Sequence, residues 1–254
     1  MNKTLLTTIC LVSAATGGSI SAQILSESFT YADGNLTAVS GGNWANFSGT
    51  GTFIPVSSGV VSLNGGSGSR EDVTRALGSA YTSGSLFASF SVSLTGGTAP
   101  TTGTQSYFLT FKDATTSGFR GRVFVAAPIT SGFRLGLEND GNDTVTSTVF
   151  TSDLSIASTH SVTLAYNITA GTSKLWVDTA TSNAPTLVDN TAATALAGGL
   201  TSIALRQATV VYSGLKIDNL TVTDNLAAVP EPGEWAAISG VGLLGFALLR
   251  RRNK

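Results

Sequence analysis

Residues 23–226 are predicted to form an all-β domain, two antiparallel sheets packed face to face as a jelly-roll sandwich. Three observations predict it. Apolar residues alternate with Ser and Thr along many short runs, the pattern of a strand with one buried and one solvated face. Gly and Asn punctuate those runs where turns need positive φ. Finally, only 11% of residues are charged, against about 25% in ordinary globular chains. Ser and Thr make up about a quarter of the chain and Gly numbers 29, with a mean hydropathy of +0.24. Such a chain is too apolar for disorder, and its β-branched residues favour strands.

Taken in order, the alternating runs are residues 87–94 with Phe87, Phe90, Val92 and Leu94, then 107–111 with Tyr107, Leu109 and Phe111, then 123–125. Next come 133–137 with Phe133, Leu135 and Leu137, and 161–168 with Val162, Leu164, Tyr166 and Ile168. Residues 173–178, 201–206 and 216–223 complete the set, the last with Ile217, Leu220 and Val222. Turns are expected at Thr95-Gly96-Gly97, at 139–142, at 167–171 and at Ser213-Gly214. No segment reads as a helix, and no fixed-period repeat suggests a solenoid. About a dozen short strands do not stay in one open sheet, so two packed sheets follow.

The hairpin of residues 161–178, with Tyr166, a turn at Ala170-Gly171 and Lys174-Leu175-Trp176-Val177-Asp178, resembles that of concanavalin A-like, laminin-G-like lectin domains. The opening Glu27-Ser28-Phe29-Thr30-Tyr31-Ala32-Asp33-Gly34 and the closing Ile217-Asp218-Asn219-Leu220-Thr221-Val222 resemble the first and last strands of such domains. That resemblance implies that the two ends pair and close the domain on itself.

The termini read as addresses. Residues 1–22 carry Lys3, an uncharged run and small residues before Gln23, the pattern of a secretory signal peptide cleaved between Ala22 and Gln23. Export through the Sec route is expected, and since Cys10 lies in this segment the mature chain has no cysteine. At the other end, a Pro-rich linker at 227–234 precedes an uncharged stretch, 235–249, and a basic tail, 250–254. The stretch reads as a short transmembrane helix, about 22 Å long against a hydrocarbon core of about 30 Å. Arg250, Arg251 and Arg252 act as a cytoplasmic stop. Pro230-Glu231-Pro232, one short apolar helix and a terminal Arg run resemble the PEP-CTERM sorting tail of exported bacterial proteins. This resemblance implies an inner-membrane-tethered precursor, an exosortase-type processing enzyme as partner, and delivery to the cell surface, outer envelope or extracellular matrix.

The formal net charge of −1 conceals a domain with nine basic and thirteen acidic residues between 23 and 226. No field exists to hold nucleic acid. The chain has one histidine, His160, with no nucleophile elbow to serve. Glycoside hydrolysis needs two carboxylates about 5 to 10 Å apart, and Glu27, Glu71 and Glu138 are the domain's only glutamates. Glu71 and Asp72 are strand neighbours, expected on opposite faces, and with Arg70 and Arg75 they suggest a salt-bridge cluster or a turn. No catalytic residue is assigned. Calcium is the one cofactor considered, at Asp140, Asn142 and Asp143, whose oxygens suit that ion; the rival reading is an Asn-Asp-Gly hairpin turn. For carbohydrate, Trp44 is the candidate platform, with Tyr31 and Tyr81 behind it, against a packing role under its loop; Trp176 is read as core. The expected function is a non-enzymatic surface or matrix protein of structural or adhesive type. The alternatives are a carbohydrate-binding module for extracellular polysaccharide and a divergent glycosidase.

Overall fold

The computed structural model describes residues 23–101, 104–115, 117–139, 148–194, 196, 198–207 and 209–224. The signal segment with Ala22, the sorting tail from Pro230 to Arg252 and beyond, and the calcium candidates Asp140, Asn142 and Asp143 lie outside the described residues.

The strands are β1 (Gln23–Glu27), β2 (Gly34–Asn35), β3 (Trp44–Ser48), β4 (Pro55–Ser57), β5 (Val60–Gly65), β6 (Asp72–Tyr81), β7 (Ser85–Ser93) and β8 (Gln105–Lys112). They continue with β9 (Phe119–Ala126), β10 (Arg134–Glu138), β11 (Thr148–Val149), β12 (Thr159–Asn167), β13 (Thr172–Val177), β14 (Leu187–Asp189), β15 (Leu200–Leu205) and β16 (Tyr212–Thr223). One helical turn, α1 (Leu36–Val39), interrupts them. It was not expected from the sequence, being too short to carry a helical period. It forms because Leu36 is buried and the Ser40 N–H closes on the Leu36 carbonyl at 3.0 Å.

Two antiparallel sheets result. A nine-stranded sheet runs β14-β13-β12-β7-β16-β5-β4-β2, with β1 also on β16, and a seven-stranded sheet runs β11-β10-β9-β8-β15-β6-β3. β1 pairs with β16, Glu27 opposite Leu220, so the two ends of the domain close on each other. The core lies between the sheets. Leu86, Ala88, Phe90 and Val92 of β7 and Val162, Leu164 and Tyr166 of β12 face Phe108, Phe111, Val123, Val125, Ile203 and Leu205. Phe90 and Phe108 meet edge to face at 6.1 Å, the arrangement aromatic quadrupoles favour.

Two expectations are corrected. Phe87 does not join Phe90 in the core; three residues apart, they point to opposite faces of β7, and Leu86 and Ala88 take the inward positions. Ser213-Gly214 is not a turn between strands. Gly214, at φ +66, sits in an irregularity of β16 between Tyr212 and Leu215, and the strand continues past it. The turn at 167–171 is present: Asn167 accepts the Ala170 N–H on its side chain and the Gly171 N–H on its carbonyl, both at 2.8 Å.

Candidate functional site: the outer face of the seven-stranded sheet

Strand register decides which side chains share this face. Directly opposed residues lie on one side of a sheet, and Tyr107 opposes Phe124, Lys112 opposes Phe119 and Arg122 opposes Glu138. Since Val123, Val125, Leu135 and Leu137 are in the core, Arg122, Phe124 and Glu138 turn away from it. Gly121, at φ +58, lets β9 keep both Phe119 and Arg122 on the outer side although they are three residues apart.

The result is an aromatic–cationic array. The Arg122 and Arg206 guanidinium carbons lie 4.5 Å and 4.2 Å from the Tyr107 ring centroid. Phe119 lies 5.4 Å from Arg122, and Phe124 meets Tyr107 at 5.7 Å. Lys112 Nζ stands 5.3 Å from the Phe47 centroid and 6.0 Å from that of Phe119. Within such distances the ring quadrupole attracts the cation, and does so more when water is excluded. Tyr107, Arg122 and Lys112 are buried, whereas Phe47, Phe119 and Arg206 remain half-exposed.

Acid groups balance the cations. Asp72 Oδ2 lies 3.5 Å from Arg206 Nε, and its Oδ1 accepts the Gln207 N–H at 2.9 Å. Burial pushes the Asp72 carboxyl up to about 6 despite those partners. Lys112 Nζ donates to the carbonyls of Asp113, at 3.0 Å, and Thr115; burial draws its pKa below the usual lysine range. Of this array Phe47, Phe119 and Arg206 reach the surface.

The residues singled out from sequence fall elsewhere. Trp44 is 1% exposed; it stacks on Phe29 at 5.8 Å and donates its indole N–H to Glu27 Oε2 at 3.0 Å. It has no open face for a sugar, because β3 turns it inward. Glu27 Oε2 also accepts from Arg75 Nη1 at 2.9 Å and from the Tyr31 hydroxyl at 2.7 Å, and Oε1 accepts the Phe29 N–H at 2.8 Å. Tyr31 is thereby tied into the same buried group. Tyr81 is half-buried against the core. Trp176 is buried, with its N–H on the Asn183 carbonyl.

Glu71, just before β6, and Asp72, its first residue, turn to different partners. Glu71 accepts from Thr37 Oγ1 at 2.9 Å and from the Ile54 N–H at 3.1 Å. The expected cluster with Arg70 and Arg75 is not formed: Arg75 binds Glu27, Arg70 donates to the Gly66 carbonyl, and Asp72 turns to Arg206. Glu138 is buried opposite Arg122. His160 places Nδ1 2.6 Å from Asp178 Oδ2 and Nε2 3.0 Å from the Ser155 carbonyl, so both nitrogens face oxygens and neither faces a hydroxyl nucleophile. Among the described residues no group of three His, Cys, Asp or Glu side chains could hold a metal ion, and no helix is long and apolar enough to cross a membrane.

The array is not among the sites that the sequence pattern predicts. A signal was available: Arg120 and Arg122 stand inside the apolar run 119–126, and Lys112 ends the aromatic run 107–112. A charged residue within a strand bounded by aromatics needs a ring or an acid to cover it.

No protein-family model matches the sequence, and none of the curated proteins does so. Solved structures do share its outline. The Emp46p carbohydrate recognition domain, in its potassium-bound form, is 14% identical with a TM-score of 0.48, covering 81% of this chain and 99% of that one. A sialidase is 14% identical with a TM-score of 0.49, covering 77% of this chain and 18% of its own length. The binding domain of botulinum neurotoxin DC in complex with SialylT is 11% identical, with a TM-score of 0.46 and coverage of 80% and 48%. These values assign neither ligand nor activity to this chain, which spans less than a fifth of the sialidase.

Proposed function

We propose that this is an exported, non-enzymatic surface or matrix protein, a jelly-roll sandwich of concanavalin A-like type with a structural or adhesive role. The order of the C-terminal segments carries the reading. Pro230-Glu231-Pro232 ends the preceding structure, an uncharged stretch too short for a robust anchor follows, and Arg250, Arg251 and Arg252 hold the end in the cytoplasm. In this reading residues 1–22 direct export, the tail tethers the precursor, and an exosortase-type enzyme cuts near Pro232 to release the domain outward. Mass spectrometry of the surface-exposed form tests it. Residues 250–254 are expected to be missing, and a surface form that retains them overturns the processing step.

A second reading, binding of extracellular polysaccharide, is favoured by the half-exposed rings of Phe47 and Phe119, 6.0 Å apart, and by half-exposed Arg206 on the Tyr107 ring. Sugar CH groups stack on aromatic rings, and a guanidinium supplies donors to hydroxyls. Retention of the domain on the organism's own exopolysaccharide, weakened about tenfold by Phe47→Ala, which is ~1.4 kcal/mol, supports this reading. No retention of the unaltered domain overturns it.

A further inference from the structure

Four described asparagines begin an Asn-x-Ser/Thr triplet without proline in the middle: Asn35, Asn46, Asn167 and Asn219. That triplet is the acceptor pattern for N-linked glycosylation in an exported chain. Asn2 and Asn142 begin two more, outside the described residues. The folded domain treats the four differently. Asn46 Nδ2 donates to the carbonyls of Ser48 and Gly49 at 3.1 and 2.7 Å, so both its protons are engaged. Asn219 Nδ2 is held by Asp218 Oδ2 at 3.2 Å. Asn167 is half-buried in the β12–β13 turn, its Oδ1 accepting the Ala170 N–H. Asn35 is exposed, with extended backbone at φ −74 and ψ 127, and its side chain caps nothing.

We propose that Asn35 is the N-glycosylation acceptor of this domain, a reading that rests on export. The donor class is a polyprenyl-pyrophosphate-linked oligosaccharide. Asn35 Nδ2 attacks the anomeric carbon, a nitrogen–carbon bond forms, and the carbon–oxygen bond to the pyrophosphate breaks. The polyprenyl pyrophosphate leaves, the amide proton goes to a base, and no electron changes hands. The fold also sets the timing. Thr37 Oγ1, the hydroxyl of the triplet, donates to Glu71 at 2.9 Å, and Leu36 is fully buried. A transferase cannot grip that triplet once α1 has docked, so transfer precedes docking and the fold selects afterwards: a glycan on exposed Asn35 displaces no side-chain bond, whereas one on Asn46 or Asn219 breaks the contacts given above. The Asn35 position has a physical consequence. β2 is the last strand of its sheet and pairs only with β4; a glycan there shields an edge open to pairing with another chain.

Glycopeptide mass spectrometry on the chain from its native envelope fraction decides the matter. The Asn35 peptide is expected to carry an oligosaccharide mass in the main species, while the Asn46 and Asn219 peptides are bare. Asn35→Gln and Thr37→Ala abolish the modification. Thr37→Ser, which keeps a hydroxyl for Glu71 as well as the triplet, retains it. An exported, folded chain with bare Asn35 overturns the acceptor alone. A chain confined to the cytoplasm overturns export and the acceptor with it.

Discussion

The two sheets solve the problem of their outer faces in opposite ways. On the nine-stranded sheet, β5 and β7 bury every second residue and leave mostly uncharged, largely serine-bearing positions on the other side, Phe87 and Val60 among them. Ser89 and Thr163, for example, bond to each other at 2.9 Å across β7 and β12. On the seven-stranded sheet, β8, β9 and β10 are buried on both faces from their second residue onward. There, Arg122 and Lys112 are buried, each between two aromatic rings, and half-exposed Arg206 lies on Tyr107 beside Asp72. Guanidinium is weakly hydrated and planar, so a ring face recovers part of what dehydration costs. A polar surface can therefore be made from hydroxyls that need only water, or from charges that need specific partners.

Substitutions in the shared core, on the charged face, in its backbone and at its rim test that contrast in falling order of effect. Phe108→Ala, in the core common to both sheets, is expected to cost about 3 to 5 kcal/mol, read as a lower denaturant midpoint. A loss under about 1 kcal/mol would mean that the sheets do not meet there.

Asp72→Asn probes the charged face. The folded carboxyl, at about 6, holds its proton more tightly than the unfolded one at 3.8. Its contribution is thus fully present below 3.8 and lost as pH rises through about 6. Above that window the Asn variant, which still accepts the Gln207 N–H, should exceed the parent by on the order of 2 kcal/mol. Melting temperatures across pH would show the two curves diverging between the two values; parallel curves would mean that Asp72 is not desolvated.

Gly121→Ala should cost about 1 kcal/mol or more. The added Cβ meets only ordinary contact with Tyr166 at 3.4 Å, so the penalty comes from φ +58. An unchanged stability would put the β9 irregularity elsewhere. Phe47→Ala, at the half-exposed rim, is expected to change stability by under about 1 kcal/mol, so its glycan-retention assay reads binding, not unfolding.

Much of the fold was legible because strand alternation is local. Val162, Leu164 and Tyr166 point inward as their spacing requires, and the neighbours Glu71 and Asp72 turn to different partners. Phe87 departs from the expected core because its phase along β7, three residues from Phe90, outweighs its apolar character. Trp44 takes the packing role weighed against a sugar platform, in β3 and not under a loop. Its burial depends on Glu27, seventeen positions away, being there to accept the indole N–H.

The sequence by itself determined the all-β class, the positions of many strands and which strand neighbours face apart, since each follows from backbone periodicity and turn chemistry within a few residues. Tertiary structure alone decided that Arg122 and Arg206 flank Tyr107, that Arg75 serves Glu27 and not Glu71, and that Asn35 stands clear while Thr37 is sequestered. Those outcomes depend on the register between strands far apart in the chain. One residue of slip would move every side chain of a strand to its other face.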